Sequence, residues 1–196
     1  KNTFNKDDVG YASAAAAGLT AGDIAPTGAS VGTKQGFSII KWVSIAWAGN
    51  ANNRQVPHGL TQAPGFIVTK GMENAASWYT YHKYLDTSNP QDYYVTLNNP
   101  NARGNLAASF GPSTPDSTTF GDRLLGWTAG QDVIAYVWHD VPGLQKFGSY
   151  EGNNNANGPY VELGFKPAII LTKNIDTGGT NYDWCIYDNT RSKFNP

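Results

Sequence analysis

The sequence predicts an all-β chain: a β-sandwich module of the jelly-roll or lectin-like kind, with a partial second copy after it and an extended N-terminal arm before it. Three observations predict this. Short runs of β-branched and aromatic residues recur roughly every ten residues, separated by Gly, Asn and Pro clusters. No segment carries the apolar period of an amphipathic helix. The chain also contains part of itself twice. Trp47-Ala48-Gly49-Asn50, Pro64-Gly65-Phe66-Ile67-Val68-Thr69-Lys70 and Trp78-Tyr79-Thr80-Tyr81-His82 return as Tyr150-Glu151-Gly152-Asn153, Pro167-Ala168-Ile169-Ile170-Leu171-Thr172-Lys173 and Trp184-Cys185-Ile186-Tyr187-Asp188. The first two landmarks repeat at an offset of 103 (49 to 152, 64 to 167), the third at 106 (78 to 184). Self-similarity at fixed spacing is the mark of a modular array.

Residues 1–35 stand apart. Tyr11-Ala12-Ser13-Ala14-Ala15-Ala16-Ala17-Gly18 is followed by Gly22, Pro26, Gly28 and Gly32. The flanking Gly and Ser oppose a helix on the alanines. This stretch reads as an extended arm, or as the tail of a preceding module, since Asp8-Val9-Gly10-Tyr11 echoes Asp132-Val133-Ile134-Ala135-Tyr136.

Residues 36–145 read as the first sandwich module. Strands are predicted at Phe37–Val43, Phe66–Thr69, Trp78–His82, Tyr93–Leu97 and Val133–Trp138, where β-branched and aromatic residues concentrate. Asn50–Asn53, Asn98–Asn101 and Gly111–Ser113 supply turns, because Asn and Gly tolerate positive φ and Pro fixes its own. Pro64 sets the entry to a buried strand, Lys70 marks its emergence, and the Trp78–Tyr81 run is its hairpin partner. Trp78, and with it Trp184, reads as core because it is repeated and strand-centred.

Residues 146–196 read as an incomplete second module, with strands at Ala168–Thr172 and Trp184–Tyr187. The first copy runs on for more than sixty residues after Tyr81, the second for nine after Tyr187. Together with an opening at Lys1, this predicts a piece of a longer protein, or a module completed by another chain.

Composition narrows the function. Charged residues make up 15% of the chain, against a typical quarter, and the net charge is −1. There is no electrostatic footprint for nucleic acid or an anionic membrane. No apolar run is long enough for a helical membrane span. The single cysteine, Cys185, rules out an intrachain disulfide framework and any multi-cysteine zinc site. Lying between Trp184 and Ile186, it reads as a buried, inert thiol.

The sequence predicts no catalytic residue, metal ligand or cofactor. His58, His82 and His139 are not at ligand spacing, and His82 is replaced by Asp188 in the second copy. No phosphate loop or EF-hand is present. Glu73, Glu151, Glu162, Asp132 and Asp140 could supply a glycosidase pair only if two of them converged in space. Sugar recognition is the better chemistry. Tryptophan and tyrosine offer stacking surfaces and amides hold hydroxyls, so the candidate glycan-binding residues are Trp47, Asn50, Asn52, Asn53, Asn153, Asn154, Asn155 and Tyr160. Asn-rich runs are more often just turns, because Asn favours αL.

Gly36-Phe37-Ser38-Ile39-Ile40, Val56-Pro57-His58-Gly59-Leu60, Ala63-Pro64-Gly65-Phe66-Ile67, Ser77–His82 and Lys146-Phe147-Gly148-Ser149-Tyr150-Glu151-Gly152-Asn153 together resemble, in this order, the repeat found in bacteriophage tail fibres, those of marine phages above all. The resemblance covers Gly36 to the end. It implies an extracellular virion protein with lectin-like β-sandwich modules. Its partners would be itself, as a homo-oligomer of three or more chains, other virion proteins and host-surface polysaccharide. Two alternatives stand beside an attachment fibre: a purely structural spacer, and a glycan-degrading tailspike relative.

Overall fold

The computed structural model describes residues 3–46, 54–123 and 125–191. The fold is all-β and sandwich-like, built on one large mixed sheet, with a single 3₁₀ turn at Pro90–Asp92 as its helical content among the described residues.

Among the described residues thirteen strands occur in chain order. They are β1 (Phe4–Lys6), β2 (Val9–Tyr11), β3 (Gly28–Gly32), β4 (Phe37–Val43), β5 (Gln55–Pro57), β6 (Phe66–Gly71), β7 (Tyr79–His82), β8 (Tyr93–Thr96), β9 (Gly104–Asn105), β10 (Thr119–Gly121), β11 (Asp132–Trp138), β12 (Ile169–Thr172) and β13 (Cys185–Asp188). Nine form one sheet in the order β2-β1-β3-β4-β11-β6-β7-β8-β9, with β1 and β3 parallel and every other pair antiparallel.

The period-2 pattern of β4 and β11 fixes which face is buried. Ser38, Ile40 and Trp42 on β4, and Val133, Ala135 and Val137 on β11, point into the core. A second layer covers them: the β5–β10 ladder and the chain around Leu19, Phe110, Leu125 and Trp127. A buried ion pair ties this layer together. Arg54 bonds the Asp122 carboxylate at 2.8 Å, and that carboxylate also accepts from Ser44 Oγ at 2.6 Å and Trp127 Nε1 at 3.1 Å.

Residues 3–35 are not a detached arm. β3 pairs with β4 from Gly28↔Lys41 to Gly32↔Phe37, and Ala17, Leu19 and Ile24 belong to the core. Small residues in this stretch permit close approach. Gly22 adopts φ +80°, and a Cβ on it would lie 2.4 Å from the Gln55 carbonyl. The amides of Asp23 and Ile24 both donate to that carbonyl, at 2.9 and 3.0 Å.

The repeat is a repeated hairpin. β6 pairs with β7 through Phe66↔His82, Ile67↔Tyr81, Val68↔Thr80 and Thr69↔Tyr79. β12 pairs with β13 through Ile169↔Asp188, Ile170↔Tyr187, Leu171↔Ile186 and Thr172↔Cys185, the same register residue for residue. Closing bonds are shared as well: the Lys83 amide donates to Gly65 O at 3.0 Å, and the Asn189 amide to Ala168 O at 3.1 Å. Lys70 Nζ and Lys173 Nζ each donate to the next residue's carbonyl at 2.9 Å. The surroundings differ. β6 lies between β7 and β11, whereas β12 pairs with β13 alone among the described residues.

Candidate functional site

The uncovered face of the large sheet carries the chemistry. On β4 and β11 the residues opposite in phase to the core are Phe37, Ile39 and Lys41, and Ile134, Tyr136 and Trp138. These large side chains are half-buried, on a face that a purely solvated sheet would fill with polar residues. The register sets Trp138 beside both Phe37 and Phe66. Their rings stack accordingly, with Phe37 and Trp138 centroids 4.8 Å apart and Trp138 and Phe66 5.6 Å apart. Tyr136 lies 6.3 Å from Trp138 and 6.4 Å from Trp78, so an aromatic row crosses from β4 to the start of β7.

Trp78 is 37% exposed in that row and is not a core residue. It stands just before β7, in the outward phase set by the buried Tyr81, so repetition in the sequence reflects a shared face and not burial. Its counterpart Trp184 packs on the same outward face, its indole N–H donating to Thr96 O at 2.9 Å and its ring 6.4 Å from Phe66. Phe147 stacks on Phe66 at 5.7 Å with planes 5° apart. The start of the second copy thus covers one end of the row and leaves Phe37, Trp138, Tyr136 and Trp78 half-open.

At the other end the row meets a polar cleft of about 260 Å³, lined by Asn5, Asp7, Asp8, Ser30, Lys34 and Gln35 with Phe37 at its side. Two tight turns build it. Asp7 and Asp8 occupy the β1–β2 turn at φ +49° and +66°, the backbone of a two-residue hairpin loop whose twist suits its strands. The Asp7 carboxylate accepts from Thr33 Oγ1 and from the Thr33 amide, both at 2.8 Å. These two bonds, the side-chain one first, hold its pKa below the usual carboxylate value. An ion pair, Lys41 Nζ to Asp132 Oδ2 at 2.8 Å, stands further along the same face.

The residues proposed from sequence fall elsewhere. Trp47, Asn50, Asn52 and Asn53 lie outside the described residues. Asn153, Asn154, Asn155 and Tyr160 are exposed, but three of these side chains are engaged within their own segment. Asn153 Nδ2 donates to Asn157 O at 2.7 Å, and Asn155 Oδ1 accepts the Asn157 amide at 2.9 Å. Tyr160 OH donates to Glu162 Oε2 at 2.7 Å, which raises the phenol pKa and lowers that of the carboxyl. The aromatic row was legible in one respect: β11 alternates two apolar sets, and a strand with two apolar faces has two surfaces to cover.

Several of the groups weighed for catalysis have structural partners. Glu73 Oε1 accepts the Asp132 amide at 3.2 Å, and Asp140 is paired with Lys83. His58 is fully buried, its Nδ1 accepting from the Leu60 amide at 3.2 Å and its Nε2 lying 3.0 Å from Asp116 O. No group of three or more His, Cys, Asp or Glu side chains among the described residues is placed to hold a metal ion. Cys185 is exposed, contrary to its apolar neighbourhood in sequence, because the strand that carries it is itself uncovered.

No helix among the described residues is long and apolar enough to cross a membrane. No curated protein and no solved structure matches the chain. The profile of one protein family matches residues 9–196, nearly the whole length, and the chain belongs to that family, the domain of unknown function DUF7483.

Proposed function

We propose that this chain is a non-enzymatic fibre or appendage protein of a virion that assembles with copies of itself and attaches to host-surface glycan. The observation that supports attachment is the half-open aromatic row of Phe37, Trp138, Tyr136 and Trp78 running into the Asn5–Asp8–Gln35 cleft. Pyranose rings pack their C–H faces on aromatic surface, while amides and carboxylates take the hydroxyls. A shallow site of this kind binds weakly, and a multimeric fibre raises its avidity by presenting many copies.

A second reading, a structural spacer with no ligand of its own, is favoured by a different observation: the duplicated hairpin, which is a device for stringing like units together. One experiment separates the two. The full chain and its Trp138→Ala and Tyr160→Ala variants are applied to an array of bacterial surface polysaccharides, with solution mass by light scattering measured in parallel. Attachment predicts binding by the wild type and Tyr160→Ala, and at least about tenfold weaker binding by Trp138→Ala. A multimer that binds no glycan on the array selects the spacer reading.

A further inference from the structure

The second hairpin exposes what the first one buries. Ile170 and Tyr187 are 43% and 52% exposed, and their equivalents Ile67 and Tyr81 are fully buried. The opposite face is open too, at Ile169, Leu171 and Ile186. A two-stranded hairpin with both faces apolar and both outer edges unpaired among the described residues is not a finished structure in water. Sheet edges are ordinarily blunted by charge, proline or a bulge, and Ile169-Ile170-Leu171-Thr172 carries neither charge nor proline.

The molecule already contains the answer to what covers such a hairpin. β11 runs antiparallel along the free edge of β6, pairing Val137↔Ile67, Tyr136↔Val68 and Ala135↔Thr69. It places small residues, Val133, Ala135 and Val137, over the core side and large ones, Tyr136 and Trp138, on the other. β12 has the β6 backbone register and the β6 side-chain pattern but no such neighbour among the described residues.

We infer that the β12 edge is a docking site for one β11-type strand, added antiparallel, with its valine–alanine–valine side continuing the face of Ile170 and Tyr187. In the register of the first copy, a valine equivalent to Val137 lies opposite Ile170, a tyrosine equivalent to Tyr136 opposite Leu171, and an alanine equivalent to Ala135 opposite Thr172. The recognition is β-strand addition: main-chain hydrogen bonds hold the strand and alternate side chains set its register. This docking stands whether or not the aromatic row binds glycan.

The test uses the full chain and a synthetic peptide of residues 131–140, which spans β11. The amides of 169–172 are the reporter, because the added strand would pair along the edge that carries them. Saturating peptide is expected to slow amide exchange at 169–172 by about tenfold or more. A peptide carrying Ala135→Pro, which cannot complete the ladder, is expected to give no such slowing. Absence of protection by the wild-type peptide overturns the inference, and so does equal protection by the proline peptide, which would mark unspecific apolar adsorption. Self-association of the chain alone that is abolished by Ile170→Lys also overturns it, by assigning the edge to a second copy of the same hairpin. Glycan binding by Ile170→Lys, read on the same array, tests the aromatic row separately.

Discussion

Ile67 and Ile170 hold the same position in two hairpins of identical register, opposite Tyr81 and Tyr187, yet Ile67 is wholly buried and Ile170 is 43% exposed. The difference lies in the neighbours, not in the hairpin. Ile67 packs among Val56, Phe110, Val133 and Val137 in the core cluster, and Ile170 has no such layer over it. Truncating the first leaves a cavity, and truncating the second removes surface. Ile67→Ala is expected to cost about 2–5 kcal/mol in urea unfolding. Ile170→Ala is expected to shift the main transition by no more than about 0.5 kcal/mol.

The same contrast extends to backbone dynamics. The amides of β6 lie in the middle of a nine-stranded sheet, with a hydrogen-bonded strand on each side. Those of β12 belong to a two-stranded ladder whose far loop is held by the Arg103 amide donating to Ile175 O at 2.8 Å and the Gly179 amide donating to Pro100 O at 3.3 Å. Hydrogen exchange in the isolated chain is expected to protect 67–70 to the level of global unfolding. Residues 169–172 are expected to exchange through a local opening that needs far less free energy. Equal protection in the two hairpins would count against this account.

The hairpin itself was legible in the sequence, because Pro-x-x-Ile-x-x-Lys and Trp-x-x-Tyr recur at near-constant spacing and strand periodicity is a local property. The strands carrying β-branched and aromatic runs were legible for the same reason, as with Phe37–Val43 and Val133–Trp138. What stayed hidden depends on contacts distant in sequence. Gly28–Gly32 has no strand former except Val31 and is a strand because β4 offers it a ladder. Trp78 looks like core until the register shows it to be on the outward face. Cys185 looks buried because sequence reports the polarity of neighbours along the chain and not the presence of a covering layer. The aromatic row draws on β4, β11, β6 and the residue before β7, so no single segment announces it.

Gly121 and Gly111 lie back to back. A Cβ on Gly121 would stand 2.2 Å from the Gly111 Cα and 2.4 Å from its nitrogen, both backbone atoms that cannot swing aside. The contact is fixed by the Gly121 amide donating to Phe110 O at 2.7 Å, and it seats Phe110 and Phe120 in the core. Gly121→Ala is therefore expected to destabilise the fold by at least about 3 kcal/mol, beyond the usual range for a single added methyl. Gly130→Ala serves as the comparison: a Cβ there meets nothing within 4 Å, and the cost is confined to its positive φ of +87°.

The Asp122 carboxylate is shared by Arg54, Ser44 and Trp127 in a buried setting. Arg54 also donates to the carbonyls of Asp122 and Ile45, so the guanidinium links β10's exit to the end of β4. Removing the acid leaves a buried cation and two buried donors without their shared acceptor. Asp122→Ala is expected to cost about 3–5 kcal/mol in chemical denaturation. Asp122→Asn keeps the shape and one acceptor oxygen and is expected to retain part of that loss. If both variants unfold with the wild type, the network is not what joins the two layers.

His58 sets an acid limit on the fold. Burial pushes its pKa from 6.5 down to about 4, opposed by the hydrogen bond to the Asp116 carbonyl and the nearby Asp116 charge. Its Nδ1 accepts the Leu60 amide, so protonation there replaces an acceptor with a second donor. The folded pKa lies below the unfolded one, and the unfolded chain therefore binds the extra proton first. Stability from this group is whole above about pH 6.5, falls as pH drops toward 4, and is flat below, the total loss being about 3 kcal/mol. His82 is pushed in the same direction to about 4, again by burial first, and adds to the slope in the same window. Urea unfolding at intervals between pH 7 and 4 is expected to show this decline, and His58→Gln is expected to flatten it while lowering stability at neutral pH. A wild-type profile that is level down to pH 4.5 would mean that His58 does not stay neutral in the folded protein.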